Sequence, residues 1–431
     1  MSSPALIFVK NKCWVDFKKG IFLLVYKTMT TKKILIFSTT YFPFVGGAEI
    51  AVKEITNRVS DIQFDMITLR FDSKLPKFEK IENVNIYRIG FTKNSPTMTD
   101  LIKFPLKLNK IIFPFSACCK ACSLHKKNKY DAVWSIMAAF AGFAVMFFKC
   151  THKKIPFVLT LQEGDSISEI KSKVKFIKPL FERIFLKADI IQAVSIYLGD
   201  WARDMGFKGT IEIIPNAVDT KKFSKEYSEN ELKELKNKLN KKENDIFLIT
   251  TSRLVKKNAV DDVIKSLKYL PTNVKFLVLG IGPDLIDLKN LTLPEDVENR
   301  VMFAGQVEHD EVPKYLKVSD IFIRPSLSEG FGNSFIEAMA SGIPVIATEV
   351  GGIKDFIFDA QKSPNKKTTG LFVNITDPRD IADKIQILLD SKETKNEIIK
   401  NAKELVFEKY DWNLIAKNMK EGVFDKLKLG F

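Results

Sequence analysis

Two successive series of short apolar segments, each alternating with amphipathic ones, constrain this chain more than any other feature. From residue 33 the first series runs KILIFST, FDMITL, NVNIYRI, DAVWSI, PFVLTLQ, DIIQAVS and IEIIPNA. The pattern restarts with DIFLITTSR, VKFLVLGIG, VMFAGQV, DIFIRPS, PVIATEV and GLFV. Near-continuous apolar runs mark strands buried on both faces, and such strands lie in parallel sheets covered by helices. Helical runs such as VDDVIKSLKYL, SFIEAMASG and DIADKIQILLD stand between them. Two series of βα units predict an α/β protein of two doubly wound domains facing across a cleft. The charged, helix-prone stretch beginning at Lys221 (KKFSKEYSENELKELKNKLNKKEN) reads as a linker helix. The expected division is therefore a first domain over residues 29–220 and a second over 221–405. A terminal helix over 406–431 is expected to pack back across the cleft.

Composition enters through the charge. The 431 residues include 67 Lys+Arg against 52 Asp+Glu, a net +15. Nucleic acid, an anionic membrane surface or a phosphorylated small molecule can each answer such an excess, and a Lys-favouring genome also produces it. No Arg/Gly repeat, zinc-finger spacing or RNA-recognition signature accompanies the charge, so nucleic acid is not the expected partner. Residues 1–28 (MSSPALIFVKNKCWVDFKKGIFLLVYKT) carry five Lys and one Asp, hence +4 of the total. Their apolar patches are broken by lysines, which suits neither a signal peptide nor a span. They read as an N-terminal extension ahead of a domain that starts at Met29. The uncharged stretch 132–148 (AVWSIMAAFAGFAVMFF) reads as a buried strand running into a buried helix. By contrast, Lys103–Lys129 mixes lysines with Phe104, Ile111, Ile112, Phe113 and Phe115, a composition suited to an anionic membrane surface. Five cysteines, an odd and sparse number, exclude a disulfide scaffold and fit a reducing cytoplasm. Cys118, Cys119 and Cys122 with His125 lack a second ligand set and read as free helix cysteines. His152 and His309 stand alone.

The richest local signal is PSLSEGFGNSFIEAMASGIPVIATEVGG, residues 325–352. A strand ends at Pro325–Ser326, a loop holds Glu329, Gly330, Phe331 and Gly332, and a helix starts near Asn333–Ser334. Small residues at such a turn leave backbone N–H groups free, and a helix N-terminus adds partial positive charge, so a phosphate or sugar hydroxyl is favoured there. Glu337 follows Glu329 by eight positions, and two carboxylates facing one ligand suit vicinal hydroxyls.

With those residues in view, the chain resembles glycosyltransferase family 4, retaining nucleotide-sugar transferases of GT-B fold, from Lys33 to about Lys420. FPFVGGAE matches the family's glycine-rich loop (Gly46, Gly47, Glu49), IPNAVDTKKF its interdomain segment, and SRLVKKN its arginine-containing phosphate loop. PSLSEGFGNSFIEAMA matches its paired-glutamate motif, and GGIKDFI stands where GGxPE is usual. The resemblance implies that Glu337 binds the nucleotide ribose and Glu329 the donor sugar. It further implies that Gly330, Phe331, Gly332, Asn333 and Ser334, with Gly305 and Gln306, support the donor. Gly46, Gly47 and Glu49 would form a phosphate or acceptor loop. Arg253 with Lys257 would neutralise the departing diphosphate, a role that fixed cations fill without reorganising. Two departures stand out. Asn258 occupies the family's lysine position, and Gln162 replaces a common histidine near the sugar, where it and Asn216 would serve as hydrogen-bonding contacts. No Asp-x-Asp pair stands at a predicted strand end, so neither metal nor cofactor is expected. The expected reaction moves a sugar from a nucleotide-sugar donor to a hydroxyl of a glycan or lipid-linked acceptor, with retention, in cell-surface glycan or glycolipid synthesis. The expected location is the cytoplasm, at the inner face of the membrane. A nucleotide-sugar epimerase of the same architecture, or a catalytically silent binding or scaffold relative, is the rival reading.

Overall fold

The computed structural model describes residues 31–97, 100–293 and 297–427, with the backbone of three short antiparallel strands at Leu6–Val9, Lys12–Phe17 and Gly20–Leu24. The N-terminal extension expected over residues 1–28 otherwise lies outside the described residues.

Strands β1 (Lys32–Phe37), β2 (Ile62–Leu69), β3 (Phe78–Ile81), β4 (Val84–Ile89), β5 (Ala132–Ile136), β6 (Phe157–Leu161), β7 (Ile190–Ala193) and β8 (Thr210–Ile213) form the first sheet. Their order is β8-β7-β6-β5-β1-β2-β4-β3, parallel throughout except for the β3–β4 pair. The middle of this sheet is dry: Ile34, Leu35, Ile36 and Phe37 of β1 are fully buried, as are Phe157, Val158, Leu159 and Leu161 of β6. Strand β3 (FEKI) was not among the sequence segments, because it is a half-exposed antiparallel edge without an apolar run. Polar side chains inside the sheet satisfy one another. Trp134 Nε1 donates to Thr160 Oγ1 at 2.7 Å, Thr160 donates to Gln192 Oε1 at 2.7 Å, and Gln192 donates to the Ile214 carbonyl.

The second sheet contains β9 (Ile246–Thr251), β10 (Val274–Leu279), β11 (Val301–Gly305), β12 (Ile321–Arg324), β13 (Val345–Thr348) and β14 (Leu371–Val373). Its order is β11-β10-β9-β12-β13-β14, all parallel. Strand order reverses between β9 and β12 here, and between β1 and β5 in the first sheet. Open α/β sheets bind ligands at such reversals, beyond the strand C-termini. The charged linker is two helices rather than one, Thr220–Phe223 and Glu229–Lys238, because Ser228 and Glu231 form a reciprocal cap that starts the second afresh.

Five helices matter below: α1 (Gly47–Arg58), α2 (Leu106–Asn128), α3 (Phe143–Thr151), α4 (Asn333–Ser341) and α5 (Trp412–Met419). The 132–148 stretch is a buried strand followed by a short turn and α3, as the sequence reading expects. No helix among the described residues is long and apolar enough to cross a membrane. The chain returns to the first domain at its end. Val218 pairs with Asp411, α5 lies on α1, and the fully buried Phe424 meets Trp134 edge-on at 5.2 Å and Phe64 at 5.8 Å. Phe424→Ala should remove about 3–5 kcal/mol from the first domain. A lowered urea midpoint for that domain checks this, and an unchanged midpoint would show that the return helix is not part of its core.

Candidate functional site

On the second domain, β12 ends in Arg324 and the chain turns through Ser326–Gly332 into α4. Gly332 has φ +102°, a left-handed conformation that releases the helix at Asn333, and Gly342 (φ +79°) ends it. The Glu329 backbone is clamped from behind. Gly352 N donates to the Glu329 carbonyl at 3.2 Å, and a Cβ on Gly351 would lie 1.8 Å from that same oxygen. The GG pair of GGIKDFI is thus the surface on which the glutamate loop rests. Glu329 Oε2 accepts from Arg324 Nη2 at 2.7 Å. Arg324 also donates to Ser334 Oγ at 2.7 Å and Ser326 Oγ at 3.1 Å, and its guanidinium lies 4.6 Å from the Phe335 ring centre. Burial pulls the Arg324 pKa down while Glu329 and Glu337 push it back up, and a guanidinium stays charged under such a balance. The Phe331 ring packs in a cluster with Phe356 and Tyr410.

On the first domain, Gly46 and Gly47 open α1. Glu49 turns back on its own loop, accepting from Gly46 N at 2.8 Å and from the Thr40 hydroxyl. Its two oxygens brace the glycine loop. Gln162 follows β6, and Asn216 bridges the halves, its Nδ2 lying 3.3 Å from Gln162 Oε1 and 3.1 Å from Asn333 Oδ1. Together Gly46, Gly47, Glu49, Gln162, Asn216 and the segment Glu329–Ser334 line one cleft of about 330 Å³. Sequence reading had not included Arg324, Met137 and Val194, which share it.

Other expected residues lie outside that lining. Arg253 is exposed and its side chain forms no hydrogen bond or ion pair among the described residues. Its charge is felt at α2: the Lys110 pKa is lowered first by burial and then by the Arg253 charge, with Glu49 acting the other way. Lys257 reaches across to the first domain, donating to the Gly164 carbonyl at 2.7 Å and pairing with Asp165 at 3.4 Å. Asn258, in the family's lysine position, is buried and donates to the Arg253 carbonyl at 2.6 Å, so it shapes the loop. Gly305 (φ +71°) ends β11, its carbonyl accepting from Gly280 N at 2.7 Å, and Gln306 beside it is exposed. Glu337 lies one helical stretch beyond the cleft lining, with Oε1 2.9 Å from His309 Nε2. His309, isolated in sequence, is thereby a neighbour of the expected ribose carboxylate.

The residues missed by sequence reading left faint traces. An arginine closing the apolar run IFIR is one, since a buried cation demands a partner. The GIG of VLGIGP is another: a Cβ on Gly280 or Gly282 would fall about 2 Å from the Ser252 or Leu254 carbonyl, so these glycines let the Arg253 loop pass. Glu163 left none. Its buried carboxylate accepts from Ala138 N at 2.7 Å and Gln162 N at 2.9 Å, joining the segments after β5 and β6.

Two family matches divide the chain at the linker. Residues 45–222 match Glycosyltransferase Family 4, and residues 232–405 match Glycosyl transferases group 1. The chain belongs to glycosyltransferase family 4. Its relatives include the uncharacterized glycosyltransferase MJ1069 of Methanocaldococcus jannaschii, 26% identical over 88% of this chain and 95% of that protein. The alpha-monoglucosyldiacylglycerol synthase of Streptococcus pneumoniae is 26% identical over 73% of this chain and 70% of that protein. Among solved structures, Anabaena Alr3699/HepE in complex with UDP-glucose superposes with a TM-score of 0.72 at 19% identity, covering 91% of this chain and 99% of that one. The fold is accordingly GT-B, two Rossmann-like domains with a C-terminal helix returning to the first, as the sequence led us to expect. The protein is a glycosyltransferase.

Burial raises the Glu163 pKa from 4.5 to about 7, against the lowering effect of the Ala138 and Gln162 amides. A folded-state pKa above the unfolded one means that the folded protein holds this proton more tightly. The resulting stability is complete below pH 4.5 and is lost as pH rises to about 7. Its full size is at most about 3 kcal/mol. Urea midpoints at pH 5 and pH 8 should therefore differ less in Glu163→Gln than in the wild-type protein. An equal difference in both would mean that Glu163 is already ionised in the fold at pH 5.

Proposed function

We propose that this glycosyltransferase moves a sugar from a nucleotide-sugar donor to an acceptor hydroxyl with retention of anomeric configuration. The observation that carries the reading is the placement of Glu329, on a loop opening into the N-terminus of α4, directly opposite the Gly46–Gly47 loop and Gln162 in one cleft. Glu329 would take the donor sugar, Glu337 the ribose, and the N–H groups at the start of α4 the phosphates. Arg253, with Lys110 within reach of its charge, would receive the charge that develops on the leaving diphosphate. Lys257 would act by holding the domains together near Glu329. In this mechanism the acceptor attacks from the face the phosphate leaves, and the phosphate takes the proton. A donor needing no enzymatic nucleophile is compatible with Gln162, which supplies hydrogen bonds only. No metal or cofactor is part of the proposal, and among the described residues no group of His, Cys, Asp and Glu is arranged to hold a metal. The UDP-glucose bound to the Anabaena protein supports a nucleotide-sugar donor. A thermal-shift screen of nucleotide sugars tests the reading: the donor at 100 times its Kd should stabilise by about 2.7 kcal/mol. Glu337→Gln should weaken the free nucleoside diphosphate as well as the donor. A flat screen, or a Glu337→Gln protein with wild-type nucleotide affinity, would count against it.

We further propose that the first domain rests on an anionic membrane and takes a lipid-linked acceptor. A relative named alpha-monoglucosyldiacylglycerol synthase supports such an acceptor. The specific observation is that large apolar side chains stand in water beside lysines: Phe104 is 79%, Phe115 62% and Phe176 95% exposed. Lys103, Lys107, Lys171, Lys175 and Lys178 are exposed around them. Helix α2 and the helix Lys178–Lys187 both pack on α3, with Phe104 just ahead of the first and Phe176 just ahead of the second. Phenylalanines anchor and lysines attract in such a surface. The wild-type protein should float with vesicles containing phosphatidylglycerol and not with pure phosphatidylcholine, and Phe104→Ser/Phe176→Ser should lower the bound fraction several-fold. Equal flotation with both lipids would remove the electrostatic part of the proposal.

A further inference from the structure

The cleft contains one charged side chain that none of the expected roles uses. Arg324 closes β12, the strand at the point where order reverses, and its side chain is only 8% exposed. It joins three segments of the donor-side wall. Nε donates to Ser326 Oγ in the loop, Nη1 to Ser334 Oγ in the first turn of α4, and Nη2 to Glu329 Oε2. The Phe335 ring lies beneath it. A guanidinium is planar with donors in a fixed fork, so these partners define the orientation of the Glu329 carboxylate as well as its neutralisation. With Oε2 engaged, Oε1 is the oxygen left to face the first domain: a Cβ on Gly164 would lie 4.0 Å from it and 2.9 Å from Lys257 Nζ.

We propose that Arg324 is a positioning residue that fixes the Glu329 carboxylate so that Oε1 alone is presented to the donor sugar. The proposal rests on the reading of Glu329 as the donor-sugar contact. It separates Arg324 from the cations assigned to the diphosphate: Arg324 acts on the sugar through Glu329, while Arg253 and Lys110 act on phosphate. Lysine is a poor substitute, because an ammonium supplies charge without the fork.

Calorimetric titration with UDP-glucose and with UDP tests this on the full chain. Arg324→Met should weaken UDP-glucose by about tenfold or more, the loss expected for a charge-assisted hydrogen bond, and leave UDP within about twofold of wild type. Unchanged UDP binding also shows that the variant is folded. Arg324→Lys should fall between wild type and Arg324→Met for UDP-glucose, and it carries the test should Arg324→Met not fold. The double variant Arg324→Met/Glu329→Gln should lose no more than the worse single variant, because the two side chains act as one unit. Equal weakening of UDP and UDP-glucose would place Arg324 on the diphosphate and overturn the proposal. Unchanged UDP-glucose affinity in the Arg324 variants, or losses that multiply in the double variant, would also overturn it. Unchanged UDP-glucose affinity in Glu329→Gln would instead bring down the donor-sugar reading itself.

Discussion

The site depends on backbone passing backbone with no side chain between. A Cβ on Gly330 would lie 2.2 Å from the Glu163 carbonyl of the opposite domain. One on Gly351 would lie 1.8 Å from the Glu329 carbonyl, and one on Gly352 would lie 2.2 Å from the Gly330 carbonyl and 2.6 Å from Ser195 Cβ. Three peptide layers are therefore stacked at van der Waals distance: the strand end of the first domain, the glutamate loop, and the GG turn behind it. That stack sets the width of the cleft and hence which side chains can meet across it. Ser328 Oγ and Lys257 Nζ both donate to the Gly164 carbonyl, and Ile196 N donates to Asp355, so polar contacts secure the approach that the glycines permit.

Within that frame, charge is divided by depth. Arg324 is buried and balanced by Glu329 at 2.7 Å, which offsets the cost of removing a guanidinium from water. Arg253 is exposed, and its charge lowers the Lys110 pKa after burial and against the opposing pull of Glu49, so a polyanion bound near both would relieve that repulsion. Lys257 is committed to the opposite domain. The excess of positive charge noted in the sequence thus divides among cations with different surroundings: a buried structural one, the pair proposed for the diphosphate, a cross-domain tie, and the lysines near Phe104, Phe115 and Phe176 on the first domain.

Much of this was legible in residue order. Continuous apolar runs such as KILIF and FVLTL announced buried parallel strands, because a strand covered on both faces has no polar side to show. EGFGNSF was legible as a loop into a helix because only small residues allow the turn at Gly332. Edge strand β3 was hidden, since its half-exposed residues carry no apolar signal, and so was the break at Ser228, where a cap interrupts a uniformly charged run. At the site, sequence motifs brought out Glu329, Gly46 and Asn216 but gave equal weight to Glu49, whose oxygens prove to be occupied by its own loop. His309 read as isolated because its partner, Glu337, is distant in the chain.

The sequence by itself determined the two βα series, the loops at their strand ends, and the kinds of group those loops carry, since these follow from local periodicity and turn chemistry. Only the tertiary structure decided which of those groups share a cleft. Arg324 meets Glu329 rather than solvent, Lys257 reaches Gly164 rather than the phosphate loop's own side, and Glu163 is buried between two strand ends. The physical reason is that burial and pairing of charge depend on what the other domain brings within about 4 Å, where low polarisability makes electrostatic interactions strong. No run of neighbouring residues records that distance.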